Sequence, residues 1–192
     1  MDNDGLKDLL IVNGHVYPEV EHSALNYKYK QPRLLYWNGG GGKFKDLSDS
    51  AGQGITQPWT SQGSAVGDLD NDGSLEVVIN NLDGRPSLLK NFGTKKNWLL
   101  IRCVGTKVNR GAVGARVQVF AGKHHISGEI QTGSGFLSQN QPRIHIGLGD
   151  DTAYDRIEVQ WPGGRRELFP GGKANQIVVV TEGSGSAAQE KR

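Results

Sequence analysis

The chain has 192 residues and a formal net charge of only +2, since 22 basic side chains nearly balance 20 acidic ones. The net charge of the chain therefore does not favour nucleic acid or an anionic membrane as its partner. Its 28 Gly and 7 Pro are unfavourable inside helices, so the composition predicts an all-β fold of short strands and many turns.

The chain opens on a segment that recurs further along. Residues 2–13 align without gaps on residues 70–81, with six identical residues among twelve. Such self-similarity indicates a repeat architecture. Each copy is predicted to hold an acidic turn followed by a short apolar strand, 9–12 in the first copy and 77–79 in the second. A connection and a further strand complete each copy, a rhythm typical of propeller blades.

The second acidic turn carries the residues that indicate chemistry. A hard cation such as Ca²⁺ takes about six to eight oxygen ligands, and acidic side chains that alternate around a turn can point inward together. The predicted ligands are the side chains of Asp68, Asp70, Asp72 and Glu76 and the carbonyl of Ser74. The turn is not an EF-hand, because its twelfth position is Ile79 instead of a glutamate. The alternative is an Asx-rich turn whose carboxylates cap main-chain N–H groups.

The first acidic turn offers an incomplete version of the same site. Its carboxylates are Asp2, Asp4 and Asp8, whereas the position that matches Asp68 falls immediately before Met1. One missing carboxylate removes one ligand oxygen. The sequence therefore predicts one firm Ca²⁺ site in the second turn and a weak or absent site in the first.

From residue 97 the acidic turns give way to strands separated by glycine-rich turns. Alternation of apolar and polar residues, clear in 115–120 and 156–161, predicts strands with one face on a core. The predicted strands are 98–104, 115–121, 124–131, 143–147, 156–161, 166–169 and 176–181. Seven short strands at this spacing predict a β-sandwich over residues 97–182, with closure into a barrel as the alternative. Residues 183–192 are small and polar and are predicted to form a disordered tail.

Several other motifs indicate no chemistry. The glycine-rich run 38–44 lacks the residue spacing of a phosphate loop. His124 and His125 are neighbours on a predicted strand, so they point to opposite faces and cannot share a metal without a bulge. Cys103 is the single cysteine, which excludes an internal disulfide. No run approaches the roughly 20 apolar residues of a membrane helix, so no membrane insertion is expected.

Trp161 allows two interpretations. It ends the alternating strand 156–161, where we expect it to anchor the core. An exposed Trp161, together with the polar loop 134–140, would instead offer a platform for a sugar. The sequence lacks both a Gly-x-Ser-x-Gly elbow and an ordered triad, which predicts that the chain is not an enzyme.

These motifs resemble two known families. The second acidic turn, with residues 64–70 leading into it and 77–81 following it, closely resembles the FG-GAP/VCBS repeat of calcium-binding β-propellers. The segment after residue 97 resembles the ASPIC/UnbV domain found in the cartilage acidic protein family. The matching stretches there are 109–117, 133–139, 145–149 and 159–164.

The resemblance implies partial propeller blades over residues 1–93, followed by an ASPIC/UnbV-like β-sandwich over 97–182. It also implies Ca²⁺ as the metal, a secreted or cell-envelope protein, and a non-enzymatic interaction or adhesion role with an extracellular protein or a glycan as partner. A closed propeller needs at least about four blades, so further blades upstream in a longer parent protein are expected. The alternative function is a carbohydrate-binding or accessory domain of a secreted enzyme.

Overall fold

The computed structural model describes residues 1–24, 27–93 and 96–188. Within these residues the chain is almost entirely β, as the composition predicts. Helical structure there consists of one short helix, α1 (Gln53–Thr56), and two 3₁₀ turns, Pro18–His22 and Ser48–Ser50. No helix in the described ranges is both long and apolar enough to cross a membrane.

The strands fall into two groups along the chain. Those of the repeat segment are β1 (Leu9–Ile11), β2 (Leu34–Asn38), β3 (Phe44–Asp46), β4 (Ser61–Gly67), β5 (Glu76–Asn81) and β6 (Ser87–Leu89). Those that follow are β7 (Asn97–Val104), β8 (Arg116–Ala121), β9 (His124–Glu129), β10 (Ile144–Gly149), β11 (Ala153–Gln160), β12 (Arg166–Lys173), β13 (Gln176–Thr181) and β14 (Ser186–Ala187).

The repeat segment forms two antiparallel sheets of three strands, in the orders β1-β2-β3 and β4-β5-β6. β1 and β5 are the strands that follow the two acidic turns. The turns share their backbone as well, because Asn3 and Asn71 have φ of 59° and 61° while Gly5 and Gly73 have φ of 90° and 85°. The sequence repeat is therefore also a repeat of local structure.

The later strands form two sheets that enclose one core. Three strands lie in the order β10-β7-β13, with β13 parallel to β7, and five lie in the order β14-β12-β11-β8-β9. Alternate residues of both sheets face inward, among them Leu99, Ile101, Ile144, Ile146, Val117, Val119, Ile157 and Val159. This arrangement is the predicted β-sandwich.

Cys103 and Trp161 both lie in that core. Burial raises the pKa of the Cys103 thiol to about 12, so the reactive thiolate is absent near neutral pH. Trp161, directly after β11, is only 1% exposed. It anchors the core, and the exposed sugar platform that was the alternative is not formed by this residue.

The end of the sandwich departs from the expected bounds in two places. The strand expected at 166–169 continues to Lys173, through Pro170; the proline is tolerated because β14 pairs only with Glu167 and Leu168, leaving Pro170 without a neighbour on that side. Residues 183–188 of the predicted disordered tail make ordered contacts, since β14 extends the sheet and the Gly183 N–H donates to Glu167. Residues 189–192 of that tail lie outside the described residues.

The repeat segment meets the sandwich along β10. The Gly149 N–H donates to the carbonyl of Asn3 at 2.7 Å. A Cβ on Gly147 would lie 2.6 Å from the Asn3 main chain, so only glycine allows this approach. A second link lies just before β10, where the Gln141 N–H donates to the carbonyl of Val66 on β4 at 3.0 Å. The acidic turns are thereby held against the sandwich.

Candidate metal centre

The second acidic turn joins β4 to β5 and gathers three carboxylates. Oxygens of Asp68, Asp70 and Glu76 lie within 4.8 Å of one another. Gly67 at the end of β4 pairs with Glu76 at the start of β5, which places Asp68 and Glu76 together at the base of the turn. Asp68 is 1% exposed and Glu76 is 4% exposed, whereas Asp70 faces solvent.

Main-chain hydrogen bonds hold the turn in shape. The Asp68 carboxylate accepts the N–H of Asp72 at 3.1 Å and the N–H of Gly73 at 3.0 Å. Oε2 of Glu76 accepts the N–H of Leu69 at 2.9 Å. These bonds are those of an Asx-rich turn whose carboxylates cap main-chain N–H groups. That interpretation therefore accounts for part of the geometry.

The second oxygen of Glu76 is not accounted for by such a turn. Oε1 of Glu76 is buried and has no hydrogen-bond donor. Leaving a buried carboxylate oxygen unpaired is costly, because water can no longer solvate it. A cation held by Asp68, Asp70 and Glu76 would supply the missing partner, and oxygen ligands of this kind suit a hard cation.

Lys90, which directly follows β6, stands beside this group. Its ammonium forms an ion pair with the Asp70 carboxylate. Their hydrogen bond lowers the pKa of Asp70 and raises the pKa of Lys90. One positive charge of the chain itself therefore offsets part of the repulsion among the carboxylates.

Asp72 stands apart from the three gathered carboxylates. Its Oδ1 accepts the N–H of Ser74 at 2.7 Å, and the residue is exposed. Sequence alternation places Asp72 on the turn but does not decide between a ligand and a local cap. Of the four predicted carboxylate ligands, the structure brings together Asp68, Asp70 and Glu76.

The carboxylates of the first turn are engaged by donors of the chain. Asp2 accepts the indole N–H of Trp37 at 3.0 Å, and Asp8 accepts the main-chain N–H of Asn38 at 2.8 Å. Asp4 accepts a main-chain N–H two residues ahead, at 2.8 Å. Within residues 1–24, 27–93 and 96–188 these three do not form a group like that at Asp68.

Arg143 of the sandwich also touches the second turn, which sequence reasoning missed. Its guanidinium donates to the carbonyl of Asp68 and to the side-chain oxygen of Asn71, each at 2.7 Å. The arginine lies more than 70 residues further along the chain, just before β10. No local spacing links it to the turn, so only the folded chain reveals the contact.

Gly73 is a further point of contact with the sandwich. Its carbonyl accepts the Nε2–H of His145 at 2.9 Å and the side-chain N–H of Asn3 at 3.1 Å. Burial lowers the pKa of His145, so the neutral imidazole must carry its proton on Nε2 to donate here. A Cβ on Gly73 would lie 2.0 Å from Nε1 of Trp98, so the turn lies directly against that indole.

Comparison with known proteins also divides the chain into a repeat segment and a second domain that follows it. Residues 1–79 match the FG-GAP-like repeat family, and residues 105–187 match the family described as ASPIC and UnbV. Cartilage acidic protein 1 of Xenopus tropicalis is 35% identical over 126 residues, which are 62% of this chain and 18% of that protein. The Homo sapiens protein of the same name is 32% identical over 126 residues, 62% of this chain and 19% of its own length. The match thus spans about a fifth of the length of these curated relatives.

Proposed function

Because residues 1–79 match the FG-GAP-like repeat family and residues 105–187 match the ASPIC and UnbV family, we propose that the chain is a non-enzymatic, calcium-binding interaction module of a secreted or cell-envelope protein. The observation that carries the calcium proposal is the unpaired Oε1 of Glu76, buried beside Asp68 and Asp70. The second acidic turn also resembles the FG-GAP/VCBS repeat of calcium-binding β-propellers, which supports Ca²⁺ as the cation.

The ligand chemistry favours Ca²⁺ over other common cations. The gathered groups are all carboxylates, whereas zinc is bound mainly through nitrogen and sulfur. Mg²⁺ demands near-ideal octahedral geometry, while Ca²⁺ accepts irregular oxygen cages and completes its shell with carbonyls and water. A short, bent turn that offers three carboxylates suits the less demanding ion.

An exposed apolar row supports the proposal that further blades pack on the repeat segment. Ala65, Val78 and Leu88 are direct neighbours across β4, β5 and β6, so they share one face of that sheet. Val78 is 41% exposed and Leu88 is 62% exposed. In a longer parent protein a neighbouring sheet would cover this face, as blades cover one another in a propeller. The outer loops would then contact an extracellular protein or a glycan.

Calcium binding is tested by calorimetric titration of the metal-free protein. We expect one tight site, with a rise in melting temperature because Ca²⁺ binds only the folded state. Glu76→Gln is the sharpest variant: its amide oxygen can still accept the Leu69 N–H, while its NH₂ can donate to Asp68 or Asp70. The variant should therefore keep its fold and lose the tight site, as should Asp70→Ala.

Asp49→Asn is the matched control, since Asp49 is an exposed carboxylate of the same segment outside the acidic group. It should bind Ca²⁺ as tightly as the unchanged protein. Absence of binding in the unchanged protein would contradict the proposal. So would two equivalent tight sites, or full affinity in Glu76→Gln.

A further inference from the structure

Gln141 orients the Arg143 guanidinium toward the acidic turn. Oε1 of Gln141 accepts hydrogen bonds from its Nε at 3.0 Å and from one terminal nitrogen at 2.7 Å. Arginine presents its donors in a rigid fork. Two of those donors thus orient the side chain on the sandwich. The other N–H groups of the guanidinium point at the turn.

The contacts of Arg143 spare the carboxylates of the metal group. Its acceptors on the turn are the main-chain carbonyl of Asp68 and the amide oxygen of Asn71. One guanidinium therefore fixes both the main chain that carries a ligand and the corner where φ is positive. The side-chain oxygens of Asp68 stay directed into the turn.

The opposite end of the turn is held from the same side. His145 donates to the carbonyl of Gly73, and Trp98 lies against the position where a side chain would stand on that glycine. Arg143 and His145 flank the start of β10, so a single strand of the sandwich contacts both ends of the span from Asp68 to Gly73.

We propose that Arg143 and His145 are positioning residues for the calcium site, so that metal binding by the repeat segment and docking of the sandwich are coupled. The inference rests on the proposed calcium function. A ligand loop that is already ordered loses less conformational entropy when it binds a cation. Because such coupling is reciprocal, Ca²⁺ must tighten the docking of the sandwich by the same factor.

The test uses the full chain and Arg143→Gln, with Arg102→Gln as the matched control, since Arg102 is an exposed residue of β7 in the same sheet. Loss of groups that orient metal ligands commonly weakens metal binding by about 10-fold or more. We expect a loss of that size in Arg143→Gln and none in the control, both measured by calorimetry.

Amide hydrogen exchange supplies a readout that a merely structural role would not move. In the unchanged protein, Ca²⁺ should slow exchange of the Gly149 N–H, which bonds to Asn3 across the junction. In Arg143→Gln this calcium-dependent slowing should disappear. If Arg143→Gln does not fold, Arg143→Lys, which keeps the charge and loses the fork, decides by the same two measurements.

The outcomes separate this inference from the function it rests on. Calcium binding that is tight in the unchanged protein and equally tight in the folded Arg143 variant would overturn the coupling and leave the calcium function standing. Calcium-dependent slowing at Gly149 that survives in the variant would also overturn it. No binding by the unchanged protein would overturn both.

Discussion

At the scale of single residues, buried carboxylates differ in how completely main-chain donors satisfy them. Glu182 is buried, and its Oε2 accepts the N–H groups of residues 106, 107 and 108 at 2.9, 2.7 and 3.0 Å. Oε2 of Glu76 accepts one N–H, and its buried Oε1 has no partner. Three donors thus satisfy the Glu182 oxygen, whereas the Glu76 carboxylate keeps one buried oxygen unpaired.

Glu182 carries a prediction for the pH dependence of stability. Hydrogen bonds from the Val108 and Lys107 N–H groups lower its pKa. Its contribution to the free energy of unfolding is therefore fully present above the unfolded pKa of about 4.3 and is lost as pH falls through the lower folded pKa. Glu182→Gln should be less stable than the unchanged protein at pH 7, and the two should converge in acid.

Urea unfolding at pH 7 and at pH 3 measures this difference. The control is Glu158→Gln, because Glu158 lies on β11 and pairs with Arg156 at the surface. A difference between the unchanged protein and Glu182→Gln that stays constant with pH would contradict the assignment.

At the scale of elements, the two acidic turns adopt one backbone but have different surroundings. The Asn-Asp-Gly sequence places asparagine and glycine at positive φ in both. In the first turn, Asp2 and Asp8 accept donors from β2 and its end. In the second, the corresponding Asp70 pairs with Lys90 and lies beside the unpaired oxygen of Glu76. Two turns with the same backbone therefore receive different donors from their neighbouring strands.

Comparing Gly73, in the second acidic turn, with Gly52, outside it, separates the effect of backbone strain from that of packing. Their φ values are +85° and +86°, but a Cβ on Gly73 would meet Trp98 at 2.0 Å, whereas one on Gly52 has no atom within 4 Å. Gly52→Ala should cost only the strain of an unfavourable backbone, about 1 to 3 kcal/mol. Gly73→Ala should cost more and also weaken calcium binding, because the turn must move off Trp98.

Urea unfolding and calcium titration of both variants check this expectation. Equal losses of stability in the two variants, with calcium affinity unchanged in Gly73→Ala, would show that the contact with Trp98 is unimportant.

At the scale of the whole molecule, the sandwich has its own core and a closing strand. The core residues named above come from both of its sheets. β14 pairs with β12, and the Gly183 N–H donates to both oxygens of Glu167, a residue that is fully buried. Contacts within the sandwich therefore extend past residue 182.

We expect a chain trimmed to residues 97–188 to fold without the repeat segment. It should unfold cooperatively and give dispersed amide NMR signals. A chain trimmed to 97–182 should be less stable by about 1 to 3 kcal/mol, because the buried Glu167 loses a donor. Collapsed, dye-binding behaviour in the longer chain would contradict autonomous folding, and equal stability of the two would contradict the role of β14.

Local sequence patterns were sufficient to predict many of the strands. Alternation in 156–161 predicts a strand with Ile157 and Val159 facing the core, and both are buried. The extension of β12 through Pro170 was not predictable in this way, because it depends on where β14 stops pairing. Proline is excluded from a strand only when its missing N–H has a partner to lose.

The sequence by itself determined the all-β class, the repeated turn and the acidic residues on it, because periodicity, glycine positions and the Asn-Asp-Gly pattern act over a few neighbouring residues. Only the tertiary structure decided that Asp68, Asp70 and Glu76 come together and that Arg143 reaches the turn. Carboxylate direction and contacts across more than 70 residues depend on the packing of β10 and β6 beside the turn, which no local pattern specifies.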